Sequence, residues 1–166
     1  MNRLVDGADG IGQFTPIDLR AIVEDAVELI GWRQSQKEDR KKYDIGCQFS
    51  DLPAIVGPSR ELMYLFVNLL MNAREAMPDG GTITVSGRAE DCEVVIAIAD
   101  QGSGIPYELL VKMFDEFVTT INASSDWGLF MVRKLMRRLG GSVAAENGPS
   151  GGAPFRLRFP RSTNHV

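Results

Sequence analysis

Apolar residues recur along this chain at two different spacings, which predict helices and strands in a mixed order. Residues 19–33 carry apolar side chains about 3.6 positions apart, as in an amphipathic helix, and Asp18 stands where its N-cap belongs. The same spacing predicts a long helix from about Arg60 to Met77 and another over residues 128–139. Gly140 and Gly141 then end the last of these helices.

Alternation of apolar and polar residues predicts strands over Tyr43–Phe49 and Thr82–Arg88, and an apolar, β-branched run predicts another over Glu93–Ala99. The other predicted strands are a short one over Ala54–Val56 and two closing ones over Ser142–Glu146 and Phe155–Phe159. A short helix is predicted over Tyr107–Phe114, followed by a loop over residues 115–127. The sum is an α+β fold: a two-layer sandwich with a mainly antiparallel sheet and helices on one face.

Composition narrows the class of protein. With 166 residues, 44% of them hydrophobic and 24% charged, the chain is one globular domain and neither disordered nor fibrous. A net charge of −4 excludes a general nucleic-acid binder. The longest mostly apolar run, Leu62–Met71, is interrupted by Asn68 and is too short to span a bilayer.

Two residue types limit the chemistry. The single histidine, His165, lies one residue from the C-terminus, so no mechanism can use a histidine inside the fold. Cys47 and Cys92 fall in strand-like stretches, and we predict that both are reduced core residues, as in a cytosolic protein.

The long helix carries a polar face inside an apolar segment. Glu61, Asn68, Asn72 and Glu75 fall on one side, at spacings of seven, four and three. Buried amides are costly unless they bind something, and amide oxygens suit a hard cation such as Mg²⁺. Taken alone, the pair favours a simpler arrangement in which one asparagine satisfies backbone groups and the other faces water.

A glycine-rich turn follows the apolar strand over residues 94–99. Asp100 is followed by Gly102 and Gly104, a pattern that lets a flat ligand approach the backbone while the carboxylate accepts a hydrogen bond, for example from an exocyclic amine. A strand-to-helix turn with an aspartate cap fits the same residues. Gly128 opens the last helix, whose N-terminal amides could meet a phosphate, although a plain helix start capped by Asp126 is the simpler interpretation.

Order and spacing of these segments together resemble the catalytic domain of bacterial sensor histidine kinases. The matching segments, in order, are the N box (Asn68–Pro78 with Gly80–Val85), the first glycine box (Asp100–Pro106), the F box (Met113–Thr120) and the tail of the second glycine box (Gly128-Leu129, the helix after it and Gly140-Gly141). We therefore expect a kinase-like domain over residues 15–160, with 1–14 as a linker and 161–166 as a tail.

The resemblance implies an ATP-binding domain of the Bergerat type, shared with gyrase, MutL and heat-shock chaperones. In the adenine half, Asp100 would accept from the adenine amine. The residues that would form the wall and lining of that pocket are Gly102, Gly104, Ile105 and Ala76.

In the phosphate half, the resemblance implies that Asn72 holds Mg²⁺ and that Asn68 supports the metal or the phosphates. The positions that would begin the lid and meet the phosphates are Thr119, Thr120, Gly128 and Leu129. Asparagine at position 68, where the ATP-hydrolysing relatives place a glutamate base, favours a histidine kinase over an ATPase of the gyrase or MutL kind.

The second glycine box departs from the family pattern. Ser124–Leu129 stands where the family has Gly-Thr-Gly-Leu-Gly-Leu, and Ile121 replaces the lysine that follows the two threonines. No Lys or Arg occurs from Thr119 to Trp127, and Asp126 beside a triphosphate would cost on the order of 1 kcal/mol or more. The adenine half matches the family, whereas the phosphate half is altered.

The resemblance predicts a protein-histidine kinase domain that transfers the γ-phosphate of ATP to a histidine on a separate dimerisation domain, in a pathway with a response regulator. We expect it to be cytoplasmic and, by itself, monomeric. The altered lid leaves an alternative from another class, a non-catalytic module that acts through protein contacts.

Overall fold

The elements of the fold follow the predicted order. The computed structural model describes residues 13–36, 43–102, 128–145 and 155–162. The strands are β1 (Phe14–Ile17), β2 (Tyr43–Phe49), β3 (Ile55–Pro58), β4 (Gly81–Glu90), β5 (Glu93–Ala99), β6 (Ser142–Ala145) and β7 (Phe155–Pro160), and the helices are α1 (Leu19–Gln36), α2 (Ser59–Glu75) and α3 (Gly128–Arg138). The predicted short helix over Tyr107–Phe114 and the loop over 115–127 lie outside the described residues.

Five of the strands form one sheet in the order β2-β4-β5-β7-β6. The β4–β5, β5–β7 and β6–β7 pairs are antiparallel, and the β2–β4 pair is parallel. A second, two-stranded sheet pairs β1 with β3 in antiparallel fashion. The predicted α+β class with a mixed, mainly antiparallel sheet is confirmed.

The core lies between this sheet and the helices. Alternate residues of β4 and β5, such as Ile83, Val85 and Ile96, are buried together with the apolar stripes of all three helices. The rings of Phe66 on α2 and Phe159 on β7 lie 6.3 Å apart, centroid to centroid, and join the two layers. Among the described residues, no helix is both long enough and apolar enough to cross a membrane.

Local capping signals in the sequence correctly mark two helix ends. The N–H of Ala21 donates to Oδ1 of Asp18 over 3.3 Å, so Asp18 is the N-cap of α1. At the end of α3, Gly140 has a φ of +78°. The N–H of Gly140 donates to Arg137 and that of Gly141 to Met136, which is the Schellman pattern of a glycine-terminated helix.

Both cysteines are exposed and free, so the prediction of core positions is wrong. Cys47 lies on β2, an edge strand, and Cys92 lies in the two-residue turn between β4 and β5. Partial burial of the Cys47 thiol, reinforced by the Glu24 carboxylate and opposed by Arg20, raises the pKa of this thiol. The thiol is therefore protonated at neutral pH.

Arginine 158 joins two glutamates that face each other across the β4–β5 hairpin. Glu90 and Glu93 are register partners beside the turn, and one Arg158 nitrogen lies 3.6 Å from the first carboxylate and 3.3 Å from the second. Like charges directly opposite each other destabilise a strand pair, so the arginine offsets a local repulsion.

Arg158→Met is expected to lower the free energy of unfolding by about 0.5–1 kcal/mol, since methionine keeps the stem over Val95 and removes the charge. Urea unfolding at low salt measures this loss. In the Glu90→Gln background the same substitution should cost less, and a loss that is unchanged in 1 M NaCl would contradict the electrostatic explanation.

Candidate functional site

Helix α2 carries three residues of the candidate site at intervals of one turn. Asn68 is buried, at 5% exposure, whereas Asn72 and Ala76 are partly exposed. The apolar side of the same helix, which includes Leu65 and Leu69, is packed in the core. The predicted separation of α2 into a core stripe and a face with two asparagines is therefore present in the structure.

Glu61, expected on the asparagine face, is engaged elsewhere. Nη1 of Arg138 donates to Oε2 of Glu61 over 2.8 Å. Arg138 lies in the last turn of α3, so this hydrogen bond joins α3 to α2. Glu61, one of the two acidic residues on the predicted polar face, thus takes part in a helix–helix contact.

The loop after β5 is folded around Asp100. Oδ1 of Asp100 accepts the N–H of Gly102 over 2.7 Å, which tightens the turn immediately after the strand. A Cβ at Gly102 would lie 2.6 Å from the carbonyl oxygen of Ala76 and 3.0 Å from its Cβ. Only glycine allows this loop to pack on the end of α2. The structure thus brings Asp100 and Gly102 to Ala76, which lies more than twenty positions earlier in the sequence.

The loop is also held against the end of α2 by Gln101, Met77 and Gly81, which were not predicted to be site residues. The side-chain oxygen of Gln101 accepts the N–H of Thr82 over 3.1 Å, and the N–H of Gln101 lies 3.4 Å from Sδ of Met77. Met77 is buried, and a Cβ at Gly81 would lie 2.6 Å from its sulfur. In the sequence Met77 is one more residue of an apolar stripe, so no signal separates it from the rest of the core.

Tyr43 and Arg74 support the C-terminal end of α2. The hydroxyl of Tyr43 donates to the carbonyl of Met77 over 2.9 Å, just beyond the last turn of the helix. The Arg74 guanidinium lies 4.8 Å from the centre of the Tyr43 ring. The same carbonyl accepts the N–H of Gly80 over 2.9 Å, so the hydroxyl adds a second hydrogen bond to the turn that follows α2.

Helix α3 begins at Gly128, as predicted. Gly128 has a φ of +63°, and Leu129 is partly exposed. The first turn contains no acidic residue, whereas Arg137 and Arg138 stand in the last turn, and the positive end of the helix dipole lies at the N-terminal end. The remaining predicted site residues, Gly104, Ile105, Thr119 and Thr120, lie outside the described residues.

Most of the chain matches one known protein family. Residues 57–163 match the family described as "Histidine kinase-, DNA gyrase B-, and HSP90-like ATPase", and the match covers more than half of the chain. The chain belongs to this family. The prediction from the N box and the glycine boxes is confirmed at this level, and the chain is an ATP-binding domain of the histidine kinase type.

Individual relatives and structures agree. The chain is 33% identical over 153 residues to the sensor histidine kinase TmoS of Ectopseudomonas mendocina, which covers 89% of the chain and 15% of TmoS. The catalytic domain of histidine kinase ThkA has the same fold, with a TM-score of 0.79 at 23% identity over 90% of this chain and 96% of that one. ThkA has also been solved in complex with the response regulator protein TrrA.

A third similar structure contains a nucleotide analogue. Full-length ShkA in complex with AMPPNP is similar with a TM-score of 0.76 at 25% identity, over 93% of this chain and 32% of ShkA. The chain spans only between 15% and 19% of the length of curated relatives such as TmoS.

Asn72 is the candidate metal ligand of this domain. Among the described residues, no group of three or more His, Cys, Asp or Glu side chains could hold a metal ion. Asn72 offers an amide oxygen on the partly exposed face of the N box, which fits Mg²⁺ bound largely by phosphate and water.

Proposed function

We propose that this domain binds Mg·ATP and presents the γ-phosphate to a histidine on a separate dimerisation and phosphoacceptor domain. The observation that carries the proposal is the packing of the Asp100–Gly102 loop on Ala76, one turn beyond Asn72 on α2. It supports a nucleotide site that runs along one helix, from a base pocket to a metal ligand.

The base pocket is proposed at the end of α2. Asp100 is partly exposed, and its Oδ1 is turned to the backbone of its own loop, so Oδ2 is the oxygen that we assign to the adenine amine. The close contact of Gly102 with Ala76 makes a flat wall without side chains, which suits a planar base. Gly104 and Ile105 would complete this pocket.

The phosphate half is proposed between α2 and α3. A Cβ at Gly57 would lie 3.1 Å from both Leu139, after α3, and Leu62, on α2. The C-terminal end of α3 therefore meets the N-terminal end of α2. Helix α3 rises about 15 Å from Gly128 to Arg138. If α3 is antiparallel to α2, this rise places the N-terminal amides of α3 beside Asn72. Gly128 and Leu129 would then bind phosphate oxygens, with Thr119 and Thr120 beginning the lid.

Each group in the site has a limited task in the transfer. Asn72 would hold Mg²⁺ through its amide oxygen and Asn68 would orient the phosphates, and the metal, when bound, would neutralise charge on the phosphate oxygens. The protein's contribution is positioning, since the acceptor histidine supplies the nucleophile. The partners we propose are the acceptor domain and a response regulator, of which ThkA offers an example. We propose that the domain is monomeric and that it lies in the cytoplasm, where ATP is present.

Calorimetric titration with AMPPNP tests this proposal. We expect micromolar binding in Mg²⁺ that weakens at least tenfold in EDTA, because the metal joins Asn72 to the phosphates. Adenosine should bind weakly and with no dependence on Mg²⁺. Failure to bind AMPPNP at millimolar concentration would contradict the proposal.

The sequence of the lid supports one alternative, a module that has lost phosphate binding and acts through protein contacts. Its basis is the lack of any Lys or Arg from Thr119 to Trp127. Such a module would bind ADP and ATP equally in Mg²⁺, whereas a working kinase domain would discriminate between them.

A further inference from the structure

An ion pair joins α2 to α3 far from the proposed nucleotide. Nη1 of Arg138 lies 2.8 Å from Oε2 of Glu61, and the two side chains are only 33% and 17% exposed. The Arg138 guanidinium also lies 5.7 Å from the centre of the Phe14 ring on β1. One arginine in the last turn of α3 thus contacts α2 and β1 together.

Both members of the pair stand on helices that carry the proposed phosphate-binding groups. Glu61 is seven residues before Asn68, which is two turns of α2. Arg138 is ten residues after Gly128, at the opposite end of α3. The pair therefore links the helix of the N box to the helix whose N-terminal amides we assign to the phosphates.

Apolar packing leaves the position of α3 under-determined. Its buried residues Val132, Leu135 and Met136 pack on the core through contacts that are non-directional and specify no single pair of atoms. A hydrogen-bonded ion pair is directional, and removal of one partner leaves the other charge partly buried. Arg138 holds α3 against α2 through one defined pair of atoms, its Nη1 and Oε2 of Glu61.

We propose that Arg138 is a positioning residue for the nucleotide site: through Glu61, and beneath the ring of Phe14, it holds α3 in the position at which its N-terminal amides meet the phosphates. The inference rests on the proposed function. Because a helix moves as a rigid element, a change at residue 138 reaches residue 128 through the hydrogen-bonded backbone between them. No contact of Arg138 with the nucleotide is required.

The test compares Arg138→Met with Arg137→Met. Both substitutions remove one positive charge from the last turn of α3, so they alter the helix dipole alike, but Arg137 lies outside the described ion pairs. Arg138→Met is expected to weaken Mg·AMPPNP binding about fivefold, leaving the adenosine affinity unchanged. Arg137→Met should change neither affinity, and Arg138→Lys should restore at least half of the lost binding free energy.

Two results would overturn the inference. One is an equal loss of AMPPNP and adenosine affinity in Arg138→Met, which would indicate partial unfolding. The other is additivity of Arg138→Met and Glu61→Gln in a double-mutant cycle, which would show that the two side chains do not act as a unit.

Hydrogen exchange separates this inference from the proposed function, since it needs no nucleotide. The amides of Val132 and Arg133 are the first in α3 with partners inside the helix, and we expect them to exchange at least fivefold faster in Arg138→Met than in Arg137→Met. Unchanged exchange at these two amides would overturn the positioning role. If the unaltered domain fails to bind Mg·AMPPNP, the proposed function falls, and the exchange rates still decide whether Arg138 positions α3.

Discussion

Replacement of Asp100 by asparagine is expected to lower the affinity for Mg·ATP about 100-fold without unfolding the domain. The amide oxygen of asparagine can still accept the N–H of Gly102, now 2.7 Å from Oδ1, so the turn is kept. Its NH₂ group then faces the adenine amine, and two donors oppose each other where one hydrogen bond to a charged acceptor stood. Titration of the variant with AMPPNP measures the loss.

Inosine triphosphate provides a matched control for this substitution. Its base has a carbonyl where adenine has an amine, and the NH₂ group at position 100 could donate to it. The ratio of ATP to inosine triphosphate affinity should therefore fall by more than the ATP affinity itself. A ratio that stays constant, with both nucleotides weakened equally, would show that Asp100 shapes the loop and does not read the base.

Replacement of Asn72 by alanine is expected to weaken Mg·ATP binding by about tenfold to 100-fold, because the Mg²⁺ ion would lose one oxygen ligand. The effect should be confined to the phosphate half of the site, because Ala76 and the Gly102 loop lie a turn further along α2. Titration with AMPPNP in Mg²⁺ and in EDTA is the measurement, and only the value in Mg²⁺ should change.

Two controls accompany this variant. Adenosine should bind Asn72→Ala as it binds the unaltered domain, since the base pocket is intact. Asn72→Asp keeps an oxygen at the same place and should retain the dependence on Mg²⁺. If alanine weakens AMPPNP equally in Mg²⁺ and EDTA, Asn72 does not hold the metal.

The parts of the fold that depend on residues close together in the chain could be predicted from the amino-acid sequence. The apolar stripe of α2 follows from a spacing of three and four residues, and the caps at Asp18 and Gly140 follow from local backbone chemistry. The asparagines share a helix face for the same reason. Their assignment to metal and phosphate came from the resemblance, because spacing fits a solvated face equally well.

Features that depend on distant pairs could not be predicted. Glu61 and Arg138 lie 77 positions apart, and helical spacing describes which face each occupies without describing what that face meets. The same holds for Cys47, whose exposure follows from the position of β2 at the sheet edge, and for Gln101, whose partner is on another strand. Alternation predicts a strand but not its neighbours.

The parallel pairing of β2 with β4 has a consequence for the order of folding. Tyr43 pairs with Gly81 and Phe49 with Gly87, each 38 positions further along the chain, whereas the β4–β5 hairpin closes through a two-residue turn. Hairpins form within about 1–10 μs, but β2 can join only after the segment with β3 and α2 has closed, at a higher cost in chain entropy. The β4–β5 hairpin therefore has an unpaired edge on β4 until β2 docks, and another on β5 until β7 pairs with it, and two folding chains can associate at such edges.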